Sequence, residues 1–303
     1  MTPAAAAKRR DIEFRTTDGL TLRGWHYLPG AATAPVPTIV MCHGFGGVKE
    51  MYLDDFAEAF ANAGFGAVVY DNRCLGASDG QPRQEVDPWL QLSDMRDAIT
   101  FAQSLPETAD QIGLWGSSFS GGHVIVTGAN DRRVKCVVAQ VPFLSGYHTS
   151  RRYTRADLAA QVGGMIDADR AARFRGEAPM TLPLSPPVPG APAVMPSQES
   201  HDFLLQSLKK APNFRNEATL RSMDLSGGYE PAFYIDRVSP TPLLMIVGTR
   251  DVECHYEIAL STYERALQPK KLVTVKCGHF GCYVEHFALA SREAVAWFKE
   301  HLS

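Results

Sequence analysis

The feature that most restricts the fold is a rhythm. Short runs rich in Val and Ile, at 38–42, 66–70, 111–115, 134–139, 243–247 and 272–276, recur between stretches of helical periodicity at 51–63, 88–105, after Ser118, and at 256–266 and 288–301. Runs with so little polarity have no face suited to water, so helices must cover both sides of the sheet they join. Strand and helix alternating in this way predict a mostly parallel, doubly wound α/β sheet. Ahead of it, residues 12–14 and 20–27 flank Asp18-Gly19, a dipeptide that readily takes positive φ, which predicts an N-terminal β-hairpin.

The rhythm stops after Pro142 and resumes at Leu243. The expected organisation is therefore a core of residues 1–144 and 238–303 interrupted by an insertion, 145–237. That insertion carries helical patterns near 154–174 and 199–210, separated by a proline-rich stretch at 182–196. It falls between strands of one sheet, at the carboxyl edge where ligands bind, and so reads as a cap or lid over a site. Aromatics such as Tyr147, Tyr153, Phe203, Tyr229 and Phe233 would give the cap a small core, and any that face inward would suit a hydrophobic or aromatic substrate.

Bulk composition narrows the function. A formal net charge of -3 over 303 residues offers no basic field for nucleic acid. No stretch has the length and apolarity of a membrane span, and Lys8, Arg9 and Arg10 have no long apolar segment behind them, so the start does not read as a signal peptide. The six cysteines form no Cys-x-x-Cys pair and the nine histidines show no metal spacing, which points to reduced, mostly buried thiols, no metal, no cofactor and a cytoplasmic location. A small-molecule substrate is the expected partner, with a homodimer left open.

The chemistry concentrates where the run 111–115 meets a small-residue helix start: Gly116-Ser117-Ser118-Phe119-Ser120-Gly121-Gly122. A nucleophile on so sharp a turn needs glycine beside it, because a neighbouring Cβ would strike the strand or the helix. Ser120 stands where the usual Gly-x-Ser-x-Gly pattern has its last glycine. A serine hydroxyl attacks only when a base takes its proton, and the base needs a carboxylate to fix its tautomer. The loop after 243–247 offers Asp251, with Glu253 as a rival, and the loop after 272–276 offers His279. Nucleophile, acid and base thus follow their strands in the order Ser118, Asp251, His279. Two backbone amides should hold the developing oxyanion: that of Phe119, and that of Phe45 within His43-Gly44-Phe45-Gly46-Gly47. His43 is expected to brace that loop.

Together these segments resemble the α/β-hydrolase superfamily. Asp71-Asn72-Arg73-Cys74-Leu75-Gly76-Ala77-Ser78 is similar to the family's Asp-x-Arg-Gly-x-Gly-x-Ser loop, with Cys74 in place of a glycine. The segment Gly116 to His123, Ser239-Pro240-Thr241-Pro242-Leu243-Leu244 and Gly278-His279-Phe280 resemble the dienelactone-hydrolase and Xaa-Pro-peptidase-like branch. That branch includes esterases and enzymes that trim or release polyketide-type metabolites, although dienelactone hydrolases proper carry cysteine where this chain has Ser118. The resemblance implies a serine hydrolase that cleaves an ester, lactone or related acyl bond of a small hydrophobic or aromatic molecule. The alternative on the same triad is a lyase or carbon–carbon bond hydrolase.

Overall fold

The computed structural model describes residues 6–302; the expected outer limits of the core, 1 and 303, and the first five positions of the segment read as lacking a signal peptide lie outside the described residues. The chain opens with the antiparallel hairpin β1 (Lys8–Arg15) and β2 (Thr21–Leu28), closed through Gly19 at a φ of 94° that glycine takes without strain. There follow β3 (Val36–Cys42), α1 (Leu53–Asn62), β4 (Gly66–Tyr70), α2 (Pro88–Ser104), β5 (Thr108–Ser117), α3 (Phe119–Asn130) and β6 (Val134–Gln140). The next stretch holds α4 (Gly146–Tyr153), α5 (Ala159–Phe174), the two-residue strand β7 (Thr181–Leu182), α6 (Gln198–Lys210), its partner strand β8 (Ala218–Thr219) and α7 (Leu220–Gly227). The chain ends with β9 (Leu243–Gly248), α8 (Tyr256–Arg265), β10 (Lys270–Val275) and α9 (Phe287–His301).

One sheet runs in the order β1-β2-β4-β3-β5-β6-β9-β10, antiparallel from β1 to β4 and parallel thereafter. All five residues of β4 and all six of β9 are buried, as runs without a polar face require. Phe56 and Phe60 of α1 and Phe298 of α9 pack with Trp115 on one side of the sheet. Met95 and Ile99 of α2, Val124 and Ile125 of α3 and Ile258 of α8 pack on the other. Chain order reverses around β3, with β4 on one side and β5 on the other, so the loops after β3 and β5 leave the same carboxyl edge side by side. The loops after β9 and β10 reach that edge too.

Residues 145–237 gather over it. Their proline-rich stretch is folded in: Val194 N–H donates to Pro183 O at 2.9 Å, Met195 N–H donates to Leu184 O at 2.8 Å, and Leu184 is buried. A Cβ at Gly46 would lie 2.5 Å from Leu184 Cδ1, so this stretch rests directly on the loop after β3. Two helices here, α4 and α7, lie outside the segments whose periodicity marks a helix. Each has eight residues and draws its order from contacts with the other and with neighbouring loops.

Candidate active site

Ser118 sits between β5 and α3 at φ 58° and ψ −120°, a conformation that is strained for a residue with a Cβ. Three backbone hydrogen bonds hold it there: its N–H donates to Gln140 O at 2.9 Å, and its carbonyl accepts from Gly122 N–H at 3.3 Å and Phe143 N–H at 2.8 Å. The glycines are required by contact, since a Cβ at Gly116 would lie 2.2 Å from Ser120 O and one at Gly121 would lie 2.8 Å from Pro142 Cα. Ser120 has a use of its own. Its hydroxyl donates to Cys42 O at 2.7 Å and accepts from Ser117 N–H at 2.9 Å, tying the turn to the end of β3.

Ser118 Oγ lies 3.0 Å from His279 Nε2, and His279 Nδ1 lies 2.8 Å from Asp251 Oδ2. The other Asp251 oxygen accepts from the N–H groups of Glu253 and Cys254, both at 2.8 Å, so the loop fixes the carboxylate. Glu253 faces elsewhere. It accepts from the Tyr153 hydroxyl at 2.5 Å and from the Ser197 hydroxyl, both in the insertion. Burial alone would push the His279 pKa down, but the Asp251 carboxylate and the neighbouring Cys254 together outweigh it and hold the pKa well above the ordinary value. His43 is different: burial without a carboxylate pushes its pKa down to about 4, and the neutral ring donates from Nε2 to Met51 O at 3.0 Å. It braces the loop after β3, whose His43 carbonyl accepts from Asn72 Nδ2 at 3.1 Å.

Phe119 is the first residue of α3, so its N–H has no acceptor inside the helix. Phe45 lies in the adjacent loop, its ring 5.2 Å from that of Phe119 in an edge-on contact. A Cβ at Gly44 would come within 2.8 Å of Ser118 Cβ, so this loop passes as close to the serine as backbone can. Ser118 opens on two apolar chambers. One, a cleft partly open to solvent with about 630 Å³ of empty space, is walled by Phe45, Phe119, Phe143, Val194, Met195 and Met223, with Tyr153 of α4 and Cys254 beside them. The other, likewise partly open with about 430 Å³ of empty space, is walled by Met51, Leu184, Phe203, Phe280 and Tyr283.

Of the insertion's aromatics, Tyr153, Phe203 and Phe214 face these chambers, whereas Tyr147 and Phe233 are exposed and Tyr229 is buried against Phe119. The insertion's own share of the larger wall thus comes more from Val194, Met195 and Met223 than from aromatic rings. Cys254, absent from the expected site, lies with Sγ 4.0 Å from Ser118 Oγ, and burial raises its pKa so that it stays a thiol. Among the described residues, Asp251, Cys254 and His279 form one group whose potential metal-ligand atoms lie within 4.8 Å of one another. Both His279 nitrogens are already engaged in hydrogen bonds, so a metal there would have to break the serine–histidine–aspartate line.

A mostly parallel sheet wrapped by helices on both faces, with a strained serine at a strand-to-helix turn, defines an α/β-hydrolase, and the protein is an enzyme of that class. The family model described as X-Pro dipeptidyl-peptidase (S15 family) matches residues 18–281, and the chain belongs to that family. Among curated proteins, it is 35% identical over 251 residues to a thiohydrolase of Eupenicillium brefeldianum, covering 81% of this chain and 78% of the relative. It is 32% identical over 282 residues to the polyketide transferase grgF of a Penicillium species, covering 90% of each. The solved structure of DcsB in complex with its substrate analogue superposes with a TM-score of 0.86 at 30% identity, covering 97% of this chain and 99% of that one. No helix of the described residues is long and apolar enough to cross a membrane.

Proposed function

We propose that this enzyme cleaves an ester or thioester of a small apolar acyl compound through an acyl-enzyme on Ser118. The observation that carries the reading is the hydrogen-bonded line Ser118–His279–Asp251 opening directly into an apolar cleft walled by Phe45, Phe119, Phe143, Val194, Met195 and Met223. As Ser118 Oγ bonds to the carbonyl carbon, its proton passes to His279 Nε2. Asp251 Oδ2, accepting from Nδ1–H, fixes the tautomer and stabilises the imidazolium. The N–H groups of Phe119 and Phe45 hold the negative oxygen, each worth about 3 kcal/mol in a dry site. The intermediate collapses with transfer of the His279 proton to the departing alkoxide or thiolate. Water then enters, His279 takes its proton, and the ester to Ser118 is hydrolysed by the same route.

Residues 145–237 act as the cap in this reading, because Tyr153, Val194, Met195 and Met223 complete the chamber against which the acyl group packs. The names of the relatives support thioesters and polyketide-type acyl groups as the substrate class. We also assign the protein to the cytoplasm, on six cysteines that all remain free thiols. The test is a series of acyl esters and thioesters from acetyl to dodecanoyl. A buried methylene is worth about 0.8 kcal/mol, so kcat/KM should rise about fourfold per methylene until the chamber is full. A flat response, or a preference for charged acyl groups, would contradict the proposal.

A further inference from the structure

We infer that Glu199, on cap helix α6, is a positioning residue for the base His279; the inference rests on the role proposed for His279 above. Glu199 Oε2 accepts from His279 N–H at 3.0 Å and Oε1 accepts from Phe280 N–H at 2.8 Å, so one carboxylate clamps two successive amides of the base loop from 80 residues away in sequence. Hydrogen bonds from amides to an ionised acceptor are about twice as strong as neutral ones. A merely helix-favouring acid in the first turn of α6 would face solvent or its own backbone. Glu199 instead reaches across to the core.

The core is shaped to receive it. A Cβ at Gly278 would lie 2.1 Å from Glu199 Oε2, so the glycine before His279 leaves the space that the carboxylate fills. Phe203, one helical turn further along α6, stacks on Phe280 with ring centroids 4.3 Å apart and planes at 17°. Ser197, which caps α6 by accepting from Ser200 N–H, donates from its hydroxyl to Glu253 on the acid loop. The start of α6 therefore touches both loops that carry the Ser118 partners, and Glu199 holds the base loop by its backbone. With the clamp gone, the His279 and Phe280 amides lose their acceptor and the ring loses the register that keeps Nε2 at 3.0 Å from Ser118.

The test compares Glu199→Ala, Glu199→Gln and Ser197→Ala with the wild-type chain, using turnover of an acetyl ester, turnover of a long acyl ester and the rate of fluorophosphonate labelling. For Glu199→Ala we expect kcat to fall about tenfold to a hundredfold on both esters, with KM little changed and labelling slowed in parallel, as for a misplacement near 1 Å. Glu199→Gln keeps one acceptor oxygen and should fall between that variant and wild type. Ser197→Ala loosens the same helix without touching the base loop, so it should lower thermal stability yet keep kcat within about twofold. Folded Glu199→Ala with wild-type kcat and labelling would overturn the inference, as would equal losses of kcat in Ser197→Ala and Glu199→Ala, which would make the effect one of cap docking. Wild-type enzyme that turns over substrate but takes no label would remove the acyl-enzyme reading, and this inference with it.

Discussion

Replacing Asp251 by asparagine separates orientation from packing at this site. Asp251 Oδ1 accepts from Glu253 N–H and Cys254 N–H, both at 2.8 Å, and those donors need an oxygen. The introduced carboxamide must therefore keep its oxygen there and turn its NH2 toward His279 Nδ1, where Asp251 Oδ2 now accepts at 2.8 Å. Facing a donor, the ring moves its proton to Nε2, and Ser118 Oγ loses its acceptor. The expected loss in kcat is about 10⁴-fold, or about 5 kcal/mol of transition-state stabilisation, with binding nearly unchanged. The pH profile should move as well. Burial lowers the His279 pKa, but the Asp251 carboxylate and the neighbouring Cys254 together hold it well above the ordinary value, so the wild-type acid limb lies above the ordinary histidine range, activity being lost as pH falls through the raised value. Without the carboxylate, burial meets less opposition, and the residual activity should persist to lower pH. The assay is kcat and kcat/KM against pH on an acetyl ester, with Glu253→Gln as the comparison that should stay mild. A loss under tenfold for Asp251→Asn, or a larger loss for Glu253→Gln, would refute the assignment of the acid.

Three further outcomes follow from the packing. Ser120→Ala strands the buried Ser117 N–H and the Cys42 carbonyl, so unfolding should come at lower temperature, by about 1–3 kcal/mol in stability, measured by calorimetry. Met223→Trp places bulk in the larger chamber and should lower kcat/KM for a dodecanoyl ester about tenfold while leaving acetyl ester turnover within about twofold. Excising residues 145–237 should lower turnover of small esters at least tenfold as well as that of large ones, checked on a core shown to be folded by circular dichroism, because Glu199 leaves with that segment.

The positions of Ser118, Asp251 and His279 could be read from the chain because each lies in the loop after a strand whose apolar run is a local property of the sequence, whether buried throughout like 243–248 or, like β10, buried only at Val275. The same holds for the doubly wound sheet. Cys74 shows the limit of that reading: it occupies the glycine position of its loop at a φ of 66°, and the structure accommodates it by setting Gly80 against its Sγ. The grip of Glu199 on the base loop had no local signal, since its partners lie 80 and 81 residues away and an acid early in a helix looks like an ordinary dipole-favouring residue. The sequence alone suggests a cap that selects substrates and leaves the machinery to the core. The proposed clamp of Glu199 over Gly278 would join the two tasks. Helix α4 carries no sequence signature for a related reason, since in Gly146–Tyr153 only Gly146 and Thr149 are buried and no apolar stripe marks it.

The central claim is a covalent acyl-enzyme on Ser118, and intact-protein mass spectrometry of the enzyme quenched during turnover of a slowly deacylating ester tests it most directly. One acyl mass per chain, mapping to the peptide that contains Ser118 and absent from Ser118→Ala together with turnover, is the expected result. Turnover without any acyl adduct, or turnover that survives in Ser118→Ala, would contradict it and move the chemistry to a lyase or carbon–carbon cleavage that does not acylate the serine.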